Sequence, residues 1–335
     1  MSCLLVWFLA LAIDAHAQAL ITPTDTVPAS EPPPADTNPA DVPAVPVFRA
    51  AVDLVALNVV VTDTQQHFVS GLTAHDFAVY EDGVQQDVSF FAAAAVPLDL
   101  ALLLDTSASM QDKMETMQQA ALGFVKTLRP GDRAAIVDIK DTVQVAYPLG
   151  GDLGAAAAAV RATAARGGTS LYNGLYLGIK EMVKQRKAND GVRRQAIAVF
   201  SDGEDTSSLV GYDDVLELAK QSGITIYTIT LKSSFAVKQA SIGGRRYFSQ
   251  AEFAMKMLAQ ETGARAFFPI EIRELAGVYG VIAQELANQY AIGYSSKNPR
   301  PDGAYRRVIV RVADRPDATA RTRSGYLAAR MPANR

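Results

Sequence analysis

The chain predicts an α/β fold, a doubly wound and mostly parallel sheet with an accessory β domain built from the N- and C-terminal segments. Three observations carry this reading. From about Pro97 to Ala287, runs that are apolar almost throughout, such as Leu98-Asp-Leu-Ala-Leu-Leu-Leu-Asp105, alternate with amphipathic stretches of helical period. On either side of that segment the pattern changes to period two, with turn residues between the runs. Within it, three loops rich in side-chain oxygens fall where open α/β sheets bind ligands, outside the carboxyl ends of the strands.

Met1-Ser-Cys-Leu-Leu-Val-Trp-Phe-Leu-Ala-Leu-Ala-Ile13 is a short apolar run with no Lys or Arg ahead of it, followed by the small-x-small pattern Ala15-His16-Ala17. A spanning helix needs about 20 apolar residues. Residues 1–17 therefore read as a secretory signal peptide. The expected protein is exported, periplasmic or secreted, with no transmembrane segment after signal removal. The one cysteine, Cys3, precedes the apolar run, whereas an acylated lipoprotein cysteine follows it. The mature chain is thus expected to lack disulfides and thiolate metal ligands and to depend on its core. Residues 18–47, rich in Pro, Thr, Ala and Asp and including Glu31-Pro-Pro-Pro34, read as a linker.

Residues 48–95 form the accessory β segment. Val52, Leu54 and Ala56, then Leu57, Val59 and Val61, alternate with other residues, and Phe77-Ala-Val-Tyr80 and Val88-Ser-Phe-Phe91 follow. Turn signals at Asp63-Thr-Gln-Gln66 and Glu81-Asp-Gly83 make these antiparallel hairpins. Residues 96–287 hold the α/β domain: the strand ending at Asp105, a helix Met110–Leu128, and strands Arg133–Ile139 and Thr142–Pro148. An alanine-rich helix Asp152–Arg166, an amphipathic helix Leu171–Gln185, a strand Gln195–Ser201, a helix Asp213–Gln221 and a strand Ile224–Leu231 continue it. Strands apolar throughout are buried on both faces, as in a parallel sheet covered by helices. Residues 288–330 return to strands, Tyr290–Tyr294, Tyr305–Val312 and Arg321–Tyr326, which are expected to pair with residues 48–95.

With 335 residues, 49% of them hydrophobic and 20% charged, the chain can bury a substantial core and is not generally disordered. No long Lys/Arg run accompanies the formal charge of -3, so no nucleic-acid partner is expected.

The candidate site is Asp105-Thr-Ser-Ala-Ser109 after the first central strand, Gly167-Gly-Thr-Ser170 before a helix, and Ser201-Asp-Gly-Glu-Asp205 after a later strand. Asp105, Ser107, Ser109, Thr169 and Asp202 offer two carboxylates and three hydroxyls. A hard cation such as Mg²⁺ takes oxygen ligands in near-octahedral geometry, and a set this poor in charge leaves coordination positions to water or an external ligand. The glycines beside Thr169 let the backbone approach an ion, and Gly203 allows a turn that aims Asp202 inward. The bland alternative is helix capping, since Asp and Ser also accept bonds from the free amides of a helix starting near Met110. Glu204 and Asp205 read as surface charges. Tyr172, Asn173 and Gly243-Gly-Arg-Arg246 read as ordinary helix-start and loop residues.

At these residues the chain resembles the von Willebrand factor A domain and its metal-ion-dependent adhesion site, an Asp-x-Ser-x-Ser run followed by a distant Thr and a more distant Asp before Gly. The resemblance covers about residues 97–270 and matches all five positions. It implies a non-enzymatic module that binds Mg²⁺, with Mn²⁺ or Ca²⁺ as substitutes, and a protein ligand whose Asp or Glu carboxylate completes the coordination. A narrower likeness is to the acidobacterial-type VWFA-related proteins, on Asp76–Gly83, Leu102–Met110, Phe200–Asp205 and Gln289–Tyr294. In integrin β-type domains a second cation sits on acidic residues seven and eight places after the first Asp. Here those places hold Asp112 and Lys113, and an ammonium opposes a second ion.

Two other functions are weighed against this one. In a structural envelope protein the cation stabilises the fold without gating a ligand. In a haloacid-dehalogenase-like phosphotransfer enzyme the loop after the first strand is Asp-x-Asp-x-Thr. Ser107 stands where that chemistry needs a second carboxylate for proton transfer. Hydrolase chemistry has as little support: the histidines past the signal, His67 and His75, lie in the N-terminal β segment, and no Gly-x-Ser-x-Gly elbow or Walker-type phosphate loop is present.

Overall fold

The computed structural model describes residues 54–93, 96–186, 192–202, 204–232 and 249–330. The signal peptide, the linker, Val52, Gly203 and Gly243–Arg246 lie outside the described residues. In chain order the strands are β1 (Leu54–Thr62), β2 (Phe77–Glu81), β3 (Val84–Gln86), β4 (Val88–Ala93), β5 (Leu98–Asp105), β6 (Arg133–Ile139), β7 (Gln144–Gly150) and β8 (Arg194–Ser201). They continue with β9 (Thr225–Thr230), β10 (Ala266–Phe267), β11 (Tyr290–Ser295), β12 (Tyr305–Val312), β13 (Thr319–Arg321) and β14 (Gly325–Leu327). The α-helices are α1 (Met114–Val125), α2 (Leu153–Ala162), α3 (Leu171–Lys184), α4 (Tyr212–Ser222), α5 (Gln250–Glu261) and α6 (Leu275–Ala287).

The central sheet has the order β10-β9-β8-β5-β6-β7 and is parallel except for the edge strand β7, which runs antiparallel to β6. Every residue of β5 and of β8 is buried, because helices cover both faces. Side-chain alternation divides β5 between the two layers. Leu98, Leu100, Leu102 and Leu104 share a core with Met117 and Phe124 of α1, Val160 of α2 and Tyr279 and Ile282 of α6. Ala101 and Leu103 join Ile179 of α3, Val215 of α4 and Leu258 of α5 on the other face. This is the doubly wound arrangement the sequence predicts.

The terminal segments form two further sheets, β13-β1-β11-β4 and β14-β12-β2-β3. Strands from the two ends of the chain pair antiparallel in both, β1 with β11 and β2 with β12. Val55, Leu57 and Val59 of one sheet and Phe77, Val79, Val308 and Val310 of the other bury a shared core. Phe77, Phe91 and Tyr290 pack there with ring centroids 5.3 to 5.8 Å apart. Glu81, buried in the same unit, accepts hydrogen bonds from the hydroxyls of Tyr294 at 2.8 Å, Tyr326 at 2.9 Å and Ser296 at 2.5 Å. Burial and the neighbouring carboxylate push the Tyr326 phenol up to about 12.

Several boundaries differ from the sequence expectation, each for a local reason. On β1 it is Val55, Leu57, Val59 and Val61 that face the core, while Leu54 is exposed, so the inward phase of the N-terminal half is shifted by one residue. The helix expected at Met110–Leu128 begins as a 3-10 turn over Ala108–Lys113, where the Met110 amide bonds the Ser107 carbonyl. It stops at Val125, where the Thr127 hydroxyl bonds the Phe124 carbonyl at 2.7 Å. The alanine-rich helix stops at Ala162, not Arg166. Thr163 is extended, its hydroxyl bonds the Val160 carbonyl at 2.8 Å, and its own carbonyl is taken by Gln118 at 3.0 Å. The last strand is two short ones, β13 on β1 and β14 on β12, because the chain crosses from one sheet to the other between Arg321 and Gly325.

The accessory sheets dock on the N-terminal edge of the central sheet. Asn58 of β1 bonds the Thr225 hydroxyl at the start of β9, and Ser324 bonds Glu261 at the end of α5. Gly263, with φ +80°, lies so close to the crossing segment that a Cβ would meet the Arg323 amide at 2.4 Å. Glu285 of α6, 1% exposed at its side chain, pairs with Arg321 of β13 at 2.6 Å and with Arg265 at 3.3 Å, tying helix, sheet and loop together. Removing a buried partner leaves uncompensated charge. Glu285→Ala is expected to destabilise the fold by roughly 3 kcal/mol, the low end of the buried-pair range because Arg265 is half exposed. Urea unfolding followed by far-UV circular dichroism measures this, and an unchanged midpoint would refute it.

Candidate metal centre

Asp105 and Asp202 stand at the carboxyl ends of the neighbouring parallel strands β5 and β8, where the winding of the sheet reverses. Asp105 is fully buried. Its Oδ1 accepts the Ser107 amide at 2.9 Å and its Oδ2 the Ser201 hydroxyl at 2.7 Å, so the carboxylate is clamped between its own loop and the end of β8. Burial pushes its carboxyl above the usual aspartate range and the like charge of Asp202 acts in the same direction, while the bonds from Ser107 and Ser201 oppose the shift.

Ser107 Oγ lies 3.0 Å from Ser109 Oγ, which donates to Asp202 Oδ2 at 2.8 Å. Ser107 occupies the N-cap position of the 3-10 turn, yet its side chain makes no capping bond. The Ser109 hydroxyl thus runs across to the opposite loop, while Asp105 accepts an amide of its own loop.

Thr169 is buried and joins the group through its backbone. Its amide bonds the Thr206 hydroxyl at 3.0 Å, and its carbonyl accepts the amides of Thr206 at 2.9 Å and Ser207 at 3.1 Å. The Ala108 amide bonds the Gly167 carbonyl at 3.0 Å, and the Arg166 amide bonds the Thr106 carbonyl at 2.9 Å. A Cβ on Gly168 would meet Ser207 Oγ at 2.7 Å, so a bare backbone is needed where these loops touch. All five residues singled out in the sequence therefore fall on three loops that are interlocked with one another.

Other polar residues carry structural roles that the sequence pattern did not reveal. Asp205, expected at the surface, accepts the Leu171 amide at the start of α3 at 2.9 Å and the Ser208 hydroxyl at 2.7 Å; Glu204 is exposed as expected. Asn173 receives the amides of Leu209 and Val210, each at 3.1 Å, and so pins the loop leading to α4. Tyr172 packs edge-on to Tyr212 at 6.0 Å. Beneath the site, Asp138 accepts the hydroxyl of Thr106 and the ammonium of Lys140, all three buried. A serine ending an otherwise apolar strand, as Phe200-Ser201 does, is the one sequence cue to the clamp on Asp105.

Asp112 is exposed, and Lys113 turns back to donate to the Ser109 carbonyl at 3.1 Å, holding an ammonium against the loop. Among the described residues no group of three or more His, Cys, Asp or Glu is placed to hold a metal. Two carboxylates with neighbouring hydroxyls form the donor set, hard oxygens suited to a hard divalent cation.

A model of the von Willebrand factor type A domain matches residues 99–268. The chain is 34% identical over 112 residues to the uncharacterized protein sll0103 of Synechocystis sp., covering 32% of this chain and 26% of that protein. It is 27% identical over 162 residues to calcium-activated chloride channel regulator 1 of Bos taurus, covering 45% of this chain and 17% of that protein. The match thus spans 26% and 17% of the length of these curated relatives. Among solved structures, the von Willebrand factor type A protein from Catenulispora acidiphila is 14% identical with a TM-score of 0.48, over 76% of this chain and 74% of that one. Proximal thread matrix protein 1 from the mussel byssus, with a zinc-occupied MIDAS motif, is 12% identical with a TM-score of 0.46, over 61% and 49%. With the family model spanning half of its length, on the segment that builds the central sheet and its three loops, the chain belongs to the von Willebrand factor type A domain family.

Proposed function

We propose that the protein is an exported, non-enzymatic binding module that holds one divalent cation, Mg²⁺ in the first instance, and captures a protein ligand through an acidic side chain. The observation that carries this reading is the convergence of Asp105, Ser107, Ser109 and Asp202, linked by the 3.0 and 2.8 Å contacts through Ser109 and unspent on helix capping. Asp105, Ser107, Ser109, Thr169 and Asp202 would hold the ion. Its charge would offset two neighbouring carboxylates, one of them fully buried. When bound, the cation supplies an electrophilic position for a carboxylate from outside.

The residues of the chain do the rest. Ser201 and the Ser107 amide fix the Asp105 carboxylate, and Thr206 fixes the Thr169 backbone. No helix among the described residues is long and apolar enough to cross a membrane, which is compatible with an exported domain. The structural-cation reading differs in one measurable respect: a fold-stabilising ion needs no partner, whereas a binding site gains affinity when cation and carboxylate ligand are both present.

Isothermal titration of Mg²⁺ is expected to give one ion per chain and tighter binding in the presence of an acidic peptide. Asp105→Ala is expected to abolish the heat signal while far-UV circular dichroism stays native. Loss of the fold in that variant would favour the structural ion, and undiminished binding would sink both readings. A second expectation concerns Lys113. Mn²⁺ and Ca²⁺ are expected to bind with the same stoichiometry of one, because the ammonium beside Ser109 opposes a neighbouring ion. A second equivalent in the wild-type titration would refute this.

A further inference from the structure

A second, oppositely charged site lies at the other edge of the central sheet. Where the accessory sheets meet the starts of β8 and β9, a cleft of about 450 Å³ is lined by Arg186, Arg193, Arg194 and Arg323. Among the described residues no Asp or Glu lines it. Leu54, Phe90 and Ile292 supply an apolar wall.

The partners of these arginines account for only part of the charge. Arg193 pairs with Asp99 at 2.7 Å, a buried carboxylate that also pairs with Arg133 at 2.7 Å. Arg194 turns to the carbonyls of Val96 and Leu286. Arg186 donates to two neutral oxygens, Gln195 Oε1 at 2.6 Å and the Ser222 carbonyl at 2.6 Å. Arg323 donates through Nη2 to the Ala56 carbonyl at 2.9 Å, while its Nε is buried without a hydrogen-bond partner. Its Nη1 sits over Gly223, where a Cβ would come within 2.9 Å, so a bare backbone makes room for the guanidinium. Burial lowers the pKa of Arg323; Tyr294 and Tyr326 oppose that shift, and the like charge of Arg186 adds to it.

A guanidinium does not shed its proton at ordinary pH, so the cleft keeps its positive charge. The planar fork of arginine pairs bidentately with carboxylate and phosphate oxygens. We infer that this cleft binds a small oxyanion ligand, a phosphate or carboxylate group attached to a partly apolar body, through Arg186 and Arg323. The ligand lies on the edge of the sheet opposite the candidate metal centre and does not depend on a cation there.

The test is thermal unfolding of the full chain, freed of divalent cations over an immobilised chelating resin so that no soluble polycarboxylate competes, with inorganic pyrophosphate or citrate against sodium chloride of equal ionic strength. A rise in melting temperature with either probe is expected. A response to pyrophosphate alone assigns phosphate ligands, to citrate alone carboxylates. Arg186→Gln and Arg323→Gln are each expected to weaken the probe at least tenfold, and Arg311→Gln, exposed on β12, to leave it unchanged. Leu54→Glu, which sets a carboxylate at the rim without removing an arginine, is expected to weaken it likewise and covers the case in which the arginine variants do not fold. No shift with either probe, or equal shifts in all four variants, would overturn the inference.

Discussion

The parallel pairing of β5 with β8 is the constraint on which the rest of the molecule depends. These two strands are buried along their whole length, so they are held from both faces by leucine-rich cores and cannot slip without exposing a full set of apolar side chains. Their register sets Leu104 beside Phe200, and with it the position of Asp105 against Ser201. The 2.7 Å bond between those side chains fixes a carboxylate that burial alone would disfavour. A rigid scaffold of this kind holds the three loops against one another.

Most of that scaffold was readable from residue pattern. Strands such as Leu98–Asp105 and Arg194–Ser201 are short and apolar enough that only a sheet covered on both faces can bury them, and Arg133–Ile139 and Tyr305–Val312 have the bounds expected of them. The candidate site was readable for a different reason: Asp, Ser and Thr are costly at the ends of apolar strands unless they have partners, so their spacing is informative. What escaped was decided by contacts far along the chain. Thr163 ends α2 because Gln118 reaches it from α1, and Asp205 is drawn under α3 by an amide that no local pattern announces. The inward phase of the first half of β1 escaped because Leu54 and Val55 are both apolar, and alternation cannot choose between adjacent apolar residues until the partner strand is known.

The accessory sheets attach away from the edge that carries Asp105 and Asp202. They draw strands from both ends of the chain, so their antiparallel pairing closes a loop containing the whole central sheet. Their attachment runs through Asn58 to Thr225, Ser324 to Glu261 and Arg321 to Glu285, all toward the N-terminal edge of the parallel strands or the helix ends beside it. The opposite edge carries Asp105, Thr169 and Asp202 on loops of the central domain. Leu209, almost wholly exposed at 96%, lies on one of them, held by a backbone bond to Asn173.

The two edges of the sheet also differ in the sign of the charge they leave unpaired. At the carboxyl ends, Asp105 and Asp202 lie close enough for one to raise the pKa of the other, with hydroxyls as their contacts. At the amino ends, Arg186 and Arg323 donate to neutral oxygens, and no Asp or Glu among the described residues lines their cleft. The arrangement at Asp105 is not what stability alone favours, because a fully buried charge is least costly when its counter-charge is built into the chain. Charges of opposite sign at the two edges are too far apart in the fold to satisfy one another, with the apolar length of β5 and β8 between them. On the two proposals, each edge takes a counter-charge from outside, a cation at one and an anion at the other, and the packed sheet keeps the two sites distinct.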